Sequence, residues 1–599
     1  MKSLIKITEK IGINTETQDS FWSSPGFLLL LIFILNTFLV YPIFFPNLSE
    51  IGLFDESVYI NNGRLLAEGR LTPYAGNPLV SFLYAIIYLP IQTSPFWLIH
   101  ACGIGRFVLF CFLWLSAYLT AKQLRSLAHP LIMVGCLFVS PVVTNLIGNP
   151  SDALFSAMSC LAFWQLLSFY KSKEISHLWF ASVFLGLATL SRNDGLALIL
   201  ISIIIGVALT LFLKPRIAMT VRRLWLTLVA GFIPFGAIVG GYLLLYGFVT
   251  GDFEPGIARR SYVAFEQGQG VAYRHLHNDK NPFVEGQREA RKLFGSPSEN
   301  QHSVIKAIFR NPRAFFQRVK KIAKKAPKQL VDVYGHELGL LFSIFAGMGI
   351  LELIRKKLYL LLSIMLLWPL HLLIYFAFFF RNEYFLFPFF VVFLLSSVGL
   401  ASMVCNAAQS RDHCTWLIVL VLLAILGMLF NKAGLFVTPM VIAIGLLLVK
   451  AILTKYPYVM GVKWIGYTVI LSVALILRGG FLSPEFRSLG DDPPERAGLF
   501  MRENLKPRAR VGAYAPGTVW IADMTYVPMH SNLRGLDTDG AFSTWIEDQK
   551  CEAIYVNDFL KNWEPSVYKL IQGRIGKELR VAFTTKDKGI QVLFVEGAY

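Results

Sequence analysis

Long apolar runs recur along most of the chain and set the first expectation about its fold. A window of about nineteen residues, the length that crosses the hydrocarbon of a bilayer, predicts about thirteen transmembrane helices. They lie near residues 25–45, 96–121, 130–148, 153–170, 177–190, 196–213, 224–248, 337–354, 358–380, 384–406, 415–430, 434–453 and 464–481. The pattern therefore predicts a polytopic α-helical membrane protein whose transmembrane domain occupies residues 1–481.

The composition supports this class. Hydrophobic residues make up 55% of the chain, charged residues 16%, and the mean hydropathy is +0.54, whereas soluble domains carry roughly 25% charged residues. The first apolar run follows Lys2, Lys6 and Lys10, so a signal peptide has to be considered. Because the run is long and aromatic and lacks a small-residue cleavage site, we interpret it as a retained span.

Basic residues in the short loops predict the orientation. Those at 122–125, 171–173, 214–223 and 355–357 fall on the same side as the amino terminus. Lys and Arg are enriched in cytoplasmic loops, so that side is predicted to be cytoplasmic. The long loops 46–95 and 249–336, and everything after about residue 482, are then expected at the outer face of the plasma (inner) membrane.

Much of the formal net charge of +18 belongs to one outer loop. Residues 252–336 hold 16 Lys and Arg against 8 acids. On an outer loop this charge favours lipid headgroups or an anionic substrate over nucleic acid. Within the loop, residues 301–325 intersperse apolar positions with lysines and arginines and predict a helix lying in the membrane interface. This helix is either a snorkelling surface helix that touches anionic lipid or a wall of a lipid-phosphate site.

The composition changes to a soluble pattern in residues 482–599, where we predict a small extracytoplasmic α/β domain. Strands are predicted at 510–515, 552–558, 579–586 and 590–596, and helices at 541–550 and 565–576. The tail contains no GxGxxG and no P-loop, so its default interpretation is a lid, a scaffold or a partner-docking domain.

The outer stretch 52–70 carries the adjacent acids Asp55 and Glu56. The functional interpretation makes Asp55 a general base that takes a proton from an acceptor hydroxyl, with Glu56 orienting it. The pair could also hold Mg²⁺ or Mn²⁺ loosely, although two acids alone are weak support for a metal site. The structural alternative is that Asp55 caps an interfacial helix over 56–68 that ends at Gly69.

Further outer clusters combine arginines with acids. Asp152 follows Asn149 at a helix start, and Arg192 and Asp194 lie in the turn SRNDG. Capping by Asp152 and a local Arg–Asp pair are the structural alternatives, whereas the functional one has Arg192 facing an anionic headgroup. Arg106, inside the second span, must snorkel, pair with an acid or bind a phosphate.

Two more groups of polar residues are candidates for the functional site. Arg381 and Tyr384 follow three phenylalanines in FFFRNEYFLFPFF, where the arginine could anchor at the interface or clamp a phosphate with Tyr384 donating. His275 and His277 could be ligands or proton carriers, although an HxH in a loop is usually neither.

The order and common sidedness of these clusters resemble the GT-C glycosyltransferases. The similarity is to the branch of protein O-mannosyltransferases and aminoarabinose transferases, and it covers most of residues 20–400. It rests on the acidic pair after the first span, the turn with Asp152, the SRNDG turn, a long outer loop and the RNEYFLFP mouth.

The resemblance implies a glycosyltransferase that uses a polyprenyl-phosphate-linked sugar at the outer, periplasmic face and inverts the anomeric centre. Asp55 would be the catalytic carboxylate and Glu56 its acidic neighbour. Arg192 and Asp194 fall on a basic residue followed by an acid and Gly. Arg381 and Tyr384 fall on an Arg-Tyr pair near the donor phosphate, but here two residues separate them.

Two other classes of function stay open at this point. A transporter or lipid flippase would tend to show charges near the bilayer midplane and an inverted repeat. The sequence shows no internal repeat, and its acids cluster at one face. A non-catalytic assembly protein could use the tail to recruit enzymes. The sugar, the acceptor (a lipid, a glycan or a protein), the metal dependence and the oligomeric state are left open by the sequence.

Overall fold

The computed structural model describes most of the chain outside residues 410–491. The residues described are 30, 33–34, 36–37, 44–46, 55–70, 77–94, 96–128, 130, 134, 142–212, 217–251, 256–273, 282–332, 340–376, 384, 387–409, 492–529, 539–563, 565–585 and 589–597. The spans predicted near 415–430, 434–453 and 464–481 lie outside this set, and so does the domain boundary predicted at 481 and 482.

The described chain before residue 410 is helical. Its α-helices, numbered α1 to α15 in chain order, are Asp55–Ala67, Pro78–Tyr88, Trp97–Gln123, Val142–Ile147, Pro150–Ser172, Ser176–Ser191, Gly195–Phe212, Ile217–Thr250, Gly256–Tyr273, Pro282–Phe294, Val304–Arg310, Pro312–Asp332, Leu340–Arg355, Tyr359–Leu367 and Phe389–Gln409. A 3-10 helix, Trp368–Phe376, continues α14.

Three described helices are long and apolar enough to cross a membrane. They are α3, α5 and the segment Val221–Thr250 of α8. Four shorter apolar helices match predicted spans or parts of them: Ser176–Ser191, Gly195–Leu211, Tyr359–Tyr375 and Phe389–Ser402. A fifth, Pro78–Tyr88, lies within the predicted loop 46–95 and was not predicted. The described residues thus contain helices that are able to cross a membrane, but the predicted count of about thirteen is not confirmed.

Helix α5 lies at the centre of the bundle and α8 at its edge. In α5 the small residues of SDALFSAMSCLAF let neighbouring helices approach closely, and the Thr120 hydroxyl of α3 lies 3.2 Å from the Cys160 thiol. In α8, by contrast, Trp225, Leu245 and Phe248 are exposed. An apolar exposed face of this kind suits contact with lipid.

Within the loop predicted over residues 249–336, helices α9 to α12 pack together as one unit, which we call the outer-loop unit. Its core contains Tyr262, Phe265 and Phe294. The buried guanidinium of Arg318 lies 4.1 Å from the centre of the Phe265 ring and donates to the Phe265 carbonyl at 2.8 Å. The helix predicted across 301–325 is present but divided at Asn311, because Pro312 opens α12 and cannot continue the hydrogen bonding of α11.

The tail folds as a mixed α/β domain around a five-stranded sheet with strand order β2-β1-β3-β5-β4. The strands are Arg510–Ala513, Thr525–Pro528, Ala553–Val556, Leu579–Thr584 and Gln591–Val595; helices α16 to α20 are Pro493–Asn504, Gly517–Ile521, Asp539–Gln549, Asp558–Trp563 and Pro565–Gln572. Strand β1 is parallel to β2 and β3, whereas β5 is antiparallel to β3 and β4. The four predicted strands are confirmed; β2, α16, α17 and α19 were not predicted.

The tail domain contacts the helical bundle at helix α1. Ile521 of α17 belongs to the main hydrophobic core, and Trp520 packs against that core. The carboxylate of Asp523 pairs with Arg64 of α1 at 3.1 Å. The tail therefore touches the same helix that begins with the acidic pair.

Candidate active site

Helix α1 begins at Asp55, which places the acidic pair in its first turn. The helix predicted over 56–68 is present as Asp55–Ala67, and Gly69 adopts a positive φ of 75° just after it. Carboxylates in the first turn of a helix are stabilised by its macrodipole. The acidic pair therefore lies at the end of α1 where the partial charge of the helix dipole is positive.

Glu56 and Arg106 form a buried ion pair. Arg106 donates from Nε at 3.0 Å and from Nη2 at 2.7 Å to the two carboxylate oxygens of Glu56, and the Cys102 thiol donates to one of them at 3.1 Å. Glu56 is 1% exposed and Arg106 5%. An arginine inside a span can snorkel, pair with an acid or bind a phosphate, and in the structure Arg106 pairs with an acid.

Two glycines and one tyrosine explain how α1 approaches the bundle so closely. A Cβ on Gly63 of α1 would lie 2.5 Å from the Tyr84 Cβ, and one on Gly105 of α3 would lie 2.5 Å from the Tyr84 ring. Tyr84 of α2 therefore packs against backbone on both sides. Asn77 also donates to the Tyr59 hydroxyl at 2.6 Å, which links the start of α2 to α1.

Arg192 lies between two carboxylates at the end of α6. Its Nε donates to Asp194 at 2.7 Å, and its Nη1 donates to Asp152. The sequence arranges this locally: Pro150 opens α5 and leaves Asp152 in its first turn, and Gly195 opens α7 where a side chain would collide with Thr189. The local Arg–Asp pair expected for SRNDG is thus present, and Asp152 joins it from 40 residues earlier.

Aromatic rings cover one side of this arginine. The Arg192 guanidinium lies 5.1 Å from the centre of the Tyr384 ring and 4.9 Å from that of Phe387, so cation–π contacts fix its plane. Tyr384 stacks on Tyr375 with 4.3 Å between ring centres. Tyr384, which was predicted to lie at the outer end of the ninth span, therefore lies beside the SRNDG turn in the structure.

The outer-loop unit reaches the same turn. Asn193, between Arg192 and Asp194, donates to Ser261 of α9 at 2.9 Å. The long outer loop is thus connected to one of the two charged clusters by a direct hydrogen bond.

Several residues of these clusters were missed by the sequence-based analysis. They are Cys102 and Tyr84 around the Glu56 pair, and Tyr375, Phe387 and His371 around Arg192. Each occurs within an apolar run where aromatic and small residues are common. One signal was present in the sequence: the proline in WPLHLLIYF interrupts the regular helix that carries His371 and Tyr375.

Three predicted site residues, Arg381, His275 and His277, lie outside the described residues, and for Asp55 the structure describes the backbone. Among the residues described, no group of three or more His, Cys, Asp or Glu side chains is placed to hold a metal ion. The roles assigned to these four residues stay predictions.

Comparison with solved structures identifies the architecture. The chain is similar to the aminoarabinose transferase ArnT from Cupriavidus metallidurans bound to undecaprenyl phosphate, with a TM-score of 0.52, 13% sequence identity, and coverage of 96% of this chain and 99% of that one. The chain has the GT-C fold. The apo form of the same ArnT gives a TM-score of 0.52, 13% identity, and coverage of 95% and 97%.

A third solved structure, the archaeal oligosaccharyltransferase AglB from Archaeoglobus fulgidus, has a TM-score of 0.48, 11% identity, and coverage of 96% of this chain and 75% of that chain. No protein-family model and no curated protein sequence matches the chain. The similarity to ArnT confirms the GT-C resemblance predicted from the sequence at the level of the fold.

Proposed function

We propose that this protein transfers a sugar from a polyprenyl-phosphate-linked donor to an acceptor at the outer, periplasmic face of the membrane, with inversion at the anomeric carbon. The observation that carries the proposal is the match over nearly the whole length of both chains to a structure of ArnT bound to undecaprenyl phosphate. The amino terminus would then be cytoplasmic and the tail domain extracytoplasmic.

Arg192 is the proposed centre of the donor-phosphate site. Its contacts to Asp152 and Asp194 use two of the five N–H donors of a guanidinium, so donors remain for phosphate oxygens. One arginine between two carboxylates gives the cluster a net negative charge, however, and a phosphate would need a further cation nearby. Arg381, three residues before Tyr384, is the proposed source of that charge, with His275 and His277 as additional candidates.

Asp152 and Asp194 have a second proposed task. Asp152 accepts bonds from Arg192 and Ser151, and Asp194 accepts a bond from Arg192 and is hydrogen-bonded to Tyr375. A carboxylate has about four lone-pair sites, so each acid can accept more than two bonds. Sugar hydroxyls are suitable donors. The two acids would therefore hold the sugar while the arginines hold the phosphate.

Asp55 is the proposed general base. It would accept the proton of the acceptor hydroxyl while the hydroxyl oxygen attacks the anomeric carbon. The bond from that carbon to the phosphate oxygen breaks with its electron pair, and polyprenyl phosphate leaves on the opposite face. A single displacement of this kind inverts the centre. The Glu56–Arg106 pair would hold the first turn of α1 in place for this step, which assigns Arg106 a positioning task in preference to direct phosphate binding.

A divalent cation does not fit the described part of this site well. Both oxygens of Glu56 accept bonds from Arg106, and a metal ion would have to displace a buried arginine to use them. No step of the proposed reaction is therefore routed through Mg²⁺ or Mn²⁺. Removal of divalent cations with EDTA should leave transfer intact, and loss of transfer that added Mg²⁺ or Mn²⁺ restores would return the metal to the site.

The test uses purified protein in nanodiscs with a panel of radiolabelled polyprenyl-phosphate sugars and membrane extracts as the acceptor source. We expect label to leave one of these lipids for a new product. Asp55→Asn and Arg192→Leu should each lower the rate by at least about a hundredfold, the usual size of a base or charge-stabilising contribution. Asp548→Asn, on an exposed helix of the tail, is the matched control and should react normally.

Two results would reject the proposal. If no sugar leaves any donor lipid while the lipid itself crosses the bilayer, the protein is a flippase. If transfer occurs at the wild-type rate in both site variants, the activity is present but these residues do not carry it.

A further inference from the structure

Helix α12 carries a row of exposed basic side chains. Arg313, Lys320, Lys324 and Lys328 are all exposed and follow one another at helical spacings, with Phe316 completing the row between the first two. Residues three or four positions apart share a face of a helix. We refer to these five residues as the basic face. The sequence Val304–Asp332 contains nine basic residues and one acid.

Large apolar side chains accompany the charge. Phe316 is 66% exposed, and on the preceding helix α11 Ile305 is 66% and Phe309 78% exposed. Large apolar side chains are more stable when they are removed from water. Exposed rings beside lysines are therefore typical of a surface that meets the boundary between headgroups and acyl chains.

The position of the unit in the chain keeps this surface near the bilayer. Helix α9 follows the apolar helix α8 after five residues, and α12 is followed by the apolar helix α13 after seven. Seven extended residues reach at most about 25 Å. Both ends of the unit are thus tied to apolar helices, and neither end can move far from the membrane surface.

The unit also has a rigid interior. The Arg318 guanidinium is enclosed by the rings of Phe265, Phe294 and Phe315 on three different helices, and Glu266 pairs with Arg291 at 2.8 Å. Arg318 and Ile322 point inward while the basic face points outward. The exposed row is therefore held in one orientation by contacts that do not involve it.

We propose that the basic face binds the headgroups of anionic phospholipids, with Phe309 and Phe316 entering the interfacial layer. The charge is complementary to that of the lipid, and an apolar companion surface distinguishes a bilayer from a soluble acidic partner. Through the Asn193–Ser261 hydrogen bond, such a contact would fix the outer-loop unit against the SRNDG turn. The proposal does not depend on the reaction that the protein catalyses.

The test places photoreactive p-benzoylphenylalanine at position 316 of the full chain in nanodiscs that contain phosphatidylcholine and phosphatidylglycerol. Lipid adducts are then identified by mass spectrometry. We expect adducts with phosphatidylglycerol to exceed its share of the bilayer. The same probe at Leu245 of α8, which is 63% exposed and has no basic residue near it in the sequence, is the matched position and should sample the two lipids without preference.

A charge-removal variant tests the cause. Each basic residue near an anionic surface contributes a factor of about five to partitioning at low salt. Replacing Arg313, Lys320, Lys324 and Lys328 by Gln should therefore abolish the enrichment, and so should raising the salt concentration, because salt screens these charges. The control replaces four exposed basic residues of the tail by Gln: Lys506, Arg508, Lys561 and Lys577.

The proposal is overturned by any of three outcomes. These are the absence of lipid adducts at position 316, adducts in proportion to the bilayer composition, and enrichment that survives in the charge-removal variant. Crosslinking of the probe to an acidic protein alone, in native membranes, would assign the surface to a protein partner and would also reject it.

Discussion

Replacing Arg106 by Met is the most informative perturbation of this structure. The change removes two charged hydrogen bonds, at 3.0 and 2.7 Å, and leaves Glu56 as a carboxylate that is 1% exposed. Breaking a buried ion pair from one side costs about 3–5 kcal/mol, because the remaining charge stays desolvated. We therefore expect Arg106→Met to lower the free energy of unfolding by that amount.

The double variant Glu56→Leu/Arg106→Met separates the two roles of Arg106. Replacing a buried ion pair by apolar side chains of similar volume is often neutral or stabilising. If Arg106 acts only by holding Glu56, the double variant should unfold within about 1 kcal/mol of the wild type, although each single variant is destabilised. The assay is SDS-induced unfolding in mixed micelles, combined with binding of undecaprenyl phosphate followed by native mass spectrometry.

Two results would refute this reasoning. A loss of less than about 1 kcal/mol in Arg106→Met would mean that the carboxylate finds water or protonates at little cost. A double variant that loses the sum of the two single-variant losses would mean that the two residues are not coupled. A double variant that is stable but no longer binds undecaprenyl phosphate would instead assign Arg106 to the phosphate.

Three further predictions follow from packing and burial. Gly63→Ala should destabilise the protein by about 1–3 kcal/mol, because the added methyl group would collide with Tyr84. In the control variant Gly236→Ala, the methyl group added to α8 meets nothing within 4 Å, so this change should be neutral or stabilising. Unfolding in SDS compares the stability of the two variants. Arg318→Lys should raise the rate of hydrogen exchange across the outer-loop unit, since a lysine cannot stack on the surrounding aromatic rings. An unchanged exchange rate would mean that the stacking of Arg318 on these rings is not required for the stability of the unit. Burial raises the pKa of the Cys551 thiol to about 12, so this cysteine should resist maleimide near neutral pH until the tail unfolds. Because the pKa of the thiol is higher in the folded than in the unfolded protein, its contribution to stability is complete below about pH 9 and falls as the pH rises toward 12. Alkaline unfolding of the Cys551→Ser variant, compared with the wild type, would check this.

The tail domain shows why some strands were predictable and one was not. The strands β1, β3, β4 and β5 coincide with runs rich in Val, Ile, Phe and Tyr, and such runs favour extended structure wherever they pack. Strand β2, with the sequence TYVP, is short and ends in proline. Proline is confined to strand ends and sheet edges, and β2 is indeed an edge strand.

The sequence by itself determined the class of fold, the resemblance to the GT-C enzymes, four of the five strands and two of the five helices described in the tail, and the list of charged residues to examine. These follow from local hydropathy and periodicity, which each segment carries independently of its neighbours. Only the tertiary structure decided which charges meet. Glu56 pairs with Arg106, Asp152 with Arg192 and Arg64 with Asp523. The partners lie 50, 40 and 459 residues apart in the chain. The physical reason is that an ion pair depends on how helices pack in three dimensions, and the pattern of a single segment contains no record of its distant partner.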